Sequence, residues 1–109
     1  MNDRLLDPVT PGEILSDDFM KTMGISISQL ARDIAVSSDR ISNIVNGKQG
    51  ITADTALRLE RYFGVEAQFW MNLQSEYDLR IMKRKIQSDI EQRIVPIQRK
   101  IIKNRQITA

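Results

Sequence analysis

The 109-residue chain contains no cysteine and no histidine. The first absence excludes disulfides, thiolate metal sites and cysteine nucleophiles. The second removes the side chain most used as a general base. No glycine-rich phosphate loop and no nucleophile–base pair stands in their place. The sequence therefore predicts no enzyme, no cofactor and no metal site. Acidic neighbours such as Asp17 and Asp18 diverge on a helix instead of converging. No apolar run approaches the length of a membrane span, and no signal-peptide pattern opens the chain. These absences predict a cytoplasmic protein with no membrane partner. Strand-like alternation and internal repeats are also missing, so the predicted class is all-α.

The hydrophobic fraction is 41%, enough for one domain with a modest core. Formal charge is only +2, but it is unevenly distributed. Residues 1–79 hold seven Lys/Arg against twelve Asp/Glu, whereas residues 80–109 hold nine against two. A basic C-terminal segment of this kind attracts nucleic acid or an acidic protein face, or it is simply a solvated helix or tail.

Helix punctuation divides the chain. An entry arm covers 1–9. Thr10-Pro11-Gly12-Glu13 has the form of a capping box with proline at N1, and Ile14, Leu15, Phe19 and Met20 follow as an apolar face up to Gly24. Ser26 or Ser28 starts a second helix. Ser37 or Ser38 starts a third, which Gly47 stops as a left-handed C′ residue. Thr52 caps a fourth, carrying Ala56, Leu57, Leu59, Tyr62 and Phe63 to Gly64. A fifth begins near Glu66 and runs on to Val95, before Pro96. Phe69, Trp70, Leu73 and Tyr77 share one face of it, and Met82, Ile86, Ile90 and Ile94 extend an i+4 stripe. Residues 97–109 fit helix, strand or disorder.

The richest segment is 29–47. Leu30, Ala31 and Ile34 form one inward face, and Ile41, Ile44 and Val45 form its counterpart across a short polar joint. That spacing suits a helix-turn-helix, whose second helix enters the DNA major groove. Ala31 is small where the helices must cross. Ser37, Ser38, Asp39, Ser42 and Asn43 remain on an outer face of short polar side chains that can approach base edges.

Pro11-Gly12-Glu13-Ile14-Leu15, Gln29-Leu30-Ala31, Val45-Asn46-Gly47-Lys48, the stretch from Ile51 to Leu59, and Phe69-Trp70-Met71-Asn72-Leu73-Gln74 stand together in this chain. Taken together, these runs resemble the HigA antitoxin family, also called virulence-associated protein I, within the lambda repressor/Cro-type helix-turn-helix proteins. The resemblance covers about residues 8–82 and leaves the basic extension outside it. It implies a five-helix lambda-repressor-like DNA-binding domain, placed at 10–79 with the motif at 28–47; the C-terminal helical extension at 80–109 is read from its own residues. It also implies a homodimer, a double-stranded DNA operator, a HigB-type RNase toxin as partner, and repression of its own operon. Two positions depart from the family pattern. Ala35 stands where the turn usually has glycine, and Glu66 stands where Ser or Thr often caps the last helix.

Carried onto this chain, the family places Ser37, Ser38, Asp39, Ser42 and Asn43 against the groove. Asn43 is the strongest candidate for readout, because its amide pairs bidentately with adenine. Asp39 accepts from cytosine or neutralises Arg40, and Arg40 reaches a phosphate or a guanine edge. The serines serve either readout or capping. Asn46 and Lys48 resemble phosphate anchors, and Ser28, Gln29 and the helix start at Thr52 offer further phosphate contacts. Trp70 and Tyr77 belong to the core or, with Met82, Ile86 and Ile90, to a dimer interface. Glu13, Asp17 and Asp18 form an acidic face suited to a basic toxin. Two other functions compete with the antitoxin: a free-standing phage-type regulator, and a toxin-binding module with incidental DNA affinity.

Overall fold

The computed structural model describes residues 8–97. Of the arm, residues 1–7 lie outside the described residues, and so do residues 98–109 of the tail. Five helices and no strand occur among the described residues. Helix α1 runs through Pro11–Ile14, a π-helical stretch Leu15–Met20, and a last turn Lys21–Met23. Then come α2 (Ile27–Asp33), α3 (Ser38–Val45), α4 (Ala53–Phe63) and α5 (Ala67–Arg93).

Local chemistry sets most of the boundaries. The Thr10 hydroxyl accepts from the Glu13 amide at 3.1 Å, and the Glu13 carboxylate accepts from the Thr10 amide at 2.9 Å. Ser26, Ser37 and Thr52 each accept from the amide three residues on, closing the first turns of α2, α3 and α4. Gly24, Gly47 and Gly64 end their helices at φ of 69°, 76° and 82°. The Glu66 side chain makes no capping bond; the Glu60 carboxylate takes the Ala67 amide at 3.1 Å instead. Helix α5 stops at Arg93, two residues before the expected Val95, with Ile94 already extended. Pro96 disfavours helical backbone in the residue preceding it, and the last turn unwinds ahead of that.

The π stretch departs from the α-helix expected there. At about 100° per residue, Leu15 and Met20 would point about 140° apart on an α-helix. The wider i→i+5 turn lets both be buried, with Phe19 half-buried beside them. The core gathers Leu15, Met20, Leu30, Ala31, Ile34, Ile41, Ile44, Ile51, Ala56, Leu59 and Trp70. Helix α3 is held on one side by α2, where Ala31 is 2% exposed, and on the other by the start of α1. Gly12 is buried against the Ile44 backbone, and a Cβ there would overlap the Ile44 carbonyl oxygen. Glycine at 12 is thus what seats the candidate reading helix.

Candidate nucleic-acid interface

The joint between α2 and α3 is a tight turn in which Ala35 takes the left-handed conformation at φ 62°. For alanine this costs on the order of 1 kcal/mol relative to glycine. The surrounding structure holds it in place. The Arg58 guanidinium, from α4, donates to the Ile34 carbonyl at 2.8 Å and the Ala35 carbonyl at 3.2 Å. Its Nε donates to Asp54 at 2.7 Å, and the Arg40 guanidinium donates to the same carboxylate at 2.8 Å and to the Thr55 hydroxyl at 3.3 Å. One carboxylate therefore links α3, α4 and the turn.

Hydrogen bonds from Arg58 and then Arg40 hold the Asp54 carboxyl below its ordinary value. A depressed folded-state pKa contributes stability that is complete above the unfolded value and lost as pH falls through the folded one. Asp54→Asn is accordingly expected to lower the melting temperature modestly at pH 7. The deficit relative to the parent chain should shrink as both are taken well below pH 4, because the parent loses the same contribution. Thermal melts at the two pH values check this.

Two candidate site residues, Arg40 and Gln29, are partly enclosed by neighbouring elements. Arg40 is half-buried. It follows Asp39 by about 100° of helix rotation, on the flank toward α4, and its guanidinium is committed to Asp54 and Thr55. Gln29 is half-buried near the start of α2. The Tyr62 hydroxyl donates to Asp33 at 2.6 Å, and this bond is the main reason its proton is held more tightly than usual. Asp54 and Arg58 were not among the expected site residues. Their i,i+4 spacing signals an ion pair, but nothing local indicates that the pair clamps a turn more than twenty residues away.

The short polar residues of α3 lie along one side of the helix. Ser38 and Asp39 are exposed, and Ser42 and Asn43 are half-buried on the same side of α3. The Ser37 hydroxyl is engaged in the N-cap. The Asn43 amide donates to the Gln49 side chain at 3.4 Å, and the Asn46 amide donates to Ser42 at 3.4 Å. Bonds this long are weak and exchange readily for a better partner. The loop 47–49 folds back on α3, the Lys48 and Gln49 amides both donating to the Asn43 carbonyl. This sets exposed Lys48 and Gln49 at the rim of the face; Gln49 is an addition to the expected set. Ser28 is exposed near the start of α2, and Thr52 is exposed at the start of α4 with its hydroxyl used as the cap. The acidic face of α1 is partly self-satisfied, since Glu13 closes the capping box and Asp17 pairs with Lys21 at 3.0 Å.

The expected dimer residues do not stay together. Trp70 is 0% exposed and belongs to the core, against Phe19 and Phe69 at ring separations of 4.9 and 5.0 Å. Tyr77 is half-buried and lines small clefts with Pro8, Val9 and Ile14 of the arm side and with the 47–50 loop. Met82, Ile86 and Ile90 lie together with Leu79 in a shallow cavity along the far part of α5. Among the described residues no acidic cluster is placed to hold a metal ion, and no helix is long and apolar enough to cross a membrane.

A helix-turn-helix family profile matches residues 18–70. Virulence-associated protein I of Dichelobacter nodosus is 51% identical over 80 residues, which is 73% of this chain and 74% of that protein. Among solved structures, the Pseudomonas aeruginosa antitoxin HigA with the higBA promoter superposes at a TM-score of 0.81 with 47% identity, covering 84% of this chain and 99% of that one. A second Pseudomonas aeruginosa protein, solved with its 18-bp operator DNA, gives a TM-score of 0.79 with 48% identity, covering 83% of this chain and 97% of that one. Coverage of 84% of 109 residues is about 92 residues, so the structural likeness passes residue 82 and includes most of α5.

Proposed function

The chain belongs to the HigA antitoxin family of Cro/lambda-type helix-turn-helix proteins, and from that premise we propose that it is the DNA-binding antitoxin of a HigBA-type module. In this reading it acts in the cytoplasm, neutralises a HigB-type RNase and represses its own operon as a homodimer. The observation that carries the reading is the outer face of α3. Ser38, Asp39, Ser42 and Asn43 present donors and acceptors on short side chains, with the helix seated by Gly12 and the turn clamped by Arg58. Relatives with the same fold were solved on promoter and operator DNA. A single short helix covers few base pairs, so two copies on half-sites about one helical turn apart supply the specificity.

Within this face the roles divide. Asn43 reads a base, and Lys48 at the rim neutralises a phosphate. Asn43→Ala is expected to lower affinity for the upstream promoter by about 1–3 kcal/mol and to relax base choice at one position in each half-site. Lys48→Ala is expected to weaken specific and random DNA alike, and to reduce the slope of log K against log salt by about 1. Fluorescence anisotropy with promoter and scrambled duplexes at several salt concentrations measures both. Equal losses on both duplexes for both variants would show the assignment to be wrong. Coexpression with the neighbouring gene product, scored by restored growth, tests the antitoxin half of the reading.

A further inference from the structure

The loop between α3 and α4 is not held by its own residues alone. Ile51, at its end, is buried, and a buried amide needs an acceptor. That acceptor comes from α5, where the half-buried Gln74 carboxamide oxygen takes the Ile51 N–H at 2.7 Å. The nitrogen of the same carboxamide donates to the Asp78 carboxylate, one turn on, at 2.9 Å. A backbone N–H only donates and an ionised carboxylate only accepts, so the two partners fix which way the carboxamide faces. Gly50 lies directly against it. A Cβ at position 50 would stand 2.8 Å from the Gln74 Cδ and Nε2 and 3.0 Å from its Oε1. Gly24, Gly47 and Gly64 have left-handed backbone, and Gly50 does not. Glycine at 50 is therefore explained by close approach and not by its φ. A loose glutamine would swing aside for a methyl group, but this one is bonded at both ends.

Lys48 and Gln49 immediately precede this contact. Their amides donate to the Asn43 carbonyl, and the Gln49 side chain accepts from the Asn43 amide. The loop thus has two anchors, α3 at its start and Gln74 at its end. We propose that Gln74 is a positioning residue for DNA binding. It holds the loop so that Lys48 meets a phosphate and Gln49 keeps the Asn43 amide aimed at its base. The inference rests on the DNA-binding reading above and adds to it a residue on a helix outside the helix-turn-helix.

The test is fluorescence anisotropy of the full chain with promoter and scrambled duplexes at several salt concentrations, where circular dichroism shows every variant folded. Gln74→Ala is expected to weaken promoter binding roughly tenfold and to make its salt dependence shallower. A merely structural role would lower the melting temperature and leave the salt slope unchanged. Lys48→Ala should cost little more in the Gln74→Ala background, because a loosened loop no longer delivers that ammonium to its phosphate. Gly50→Ala should reproduce the Gln74→Ala losses by pushing the carboxamide off Ile51. It should add little in the double variant, where the clashing group is gone. Gln74→Glu alone sets a second carboxylate beside Asp78 and should also weaken binding. Adding Asp78→Asn exchanges donor and acceptor across that bond, keeps an oxygen toward Ile51, and should restore most of the lost affinity. Parent-like affinity and salt slope in Gln74→Ala would overturn the positioning role and leave the DNA-binding reading standing. Additive losses with either Lys48→Ala or Gly50→Ala would do the same. A parent chain that does not distinguish promoter from scrambled duplex would overturn both.

Discussion

Replacing Trp70 with alanine is expected to destabilise the folded domain by about 3–5 kcal/mol, the range for deleting a large buried aromatic. Trp70 is the chain's single tryptophan, fully buried, and it joins α5 to Phe19 of α1 and Phe69. The loss should appear in urea melts followed by far-UV circular dichroism, at every protein concentration. An effect confined to low concentration would restore the subunit-interface role. Trp70→Phe should be far milder. The indole Nε1 is buried without a hydrogen-bond partner, a cost of about 1–3 kcal/mol that phenylalanine removes. That gain offsets part of the cost of the smaller ring and its cavity, so the net loss is expected to fall well below that of alanine.

Gly12→Ala should cost about 3 kcal/mol or more, at the upper end for overpacking, because its neighbours are backbone and cannot rotate aside. The added methyl would overlap the Ile44 carbonyl oxygen and sit 3.0 Å from the Val45 Cα. Relief requires α1 and α3 to separate, which displaces the outer face of α3. Operator affinity should therefore fall even under conditions where circular dichroism shows the variant folded. Gly24→Ala is the control. Gly24 has φ 69° but nothing within 4 Å of an added Cβ, so only about 1 kcal/mol of backbone strain is expected, with DNA binding unchanged. Similar losses from both substitutions would remove the close-approach argument.

Helix existence and most helix ends were legible because they depend on neighbours in sequence. Thr10 with Glu13, Thr52 with Thr55, and the three left-handed glycines each complete their own turn. The hydroxyl of Ser37 also illustrates a limit. Ser37 and Ser38 were equivalent candidates until the backbone assigned the cap to the first. Arg40 shows another limit: its side chain is claimed by Asp54 on α4, more than a dozen residues away, and no local pattern reports that packing. On α5 the i+4 series Met82, Ile86, Ile90 and Ile94 lies on a different side from Trp70 and Tyr77, a separation that counting residues around the helix already gives. The π stretch in α1 could not be read, since Ile14, Leu15, Phe19 and Met20 mark an apolar helix without reporting the wider turn that buries both Leu15 and Met20.

Helix α5 is 27 residues long and contains neither glycine nor proline. It is a rod of about 40 Å, with no hinge between the buried end at Trp70 and the projecting end at Arg93. Such a rod transmits torsion. One residue inserted after Tyr77 would turn everything beyond it by about 100°, and four would turn it by about 40°. Moving two operator half-sites apart by one base pair rotates one against the other by about 35°. In the dimeric reading proposed above, a connection running through such rods would follow that rotation poorly, so an operator whose correct half-sites are set at the wrong angle is expected to bind more weakly.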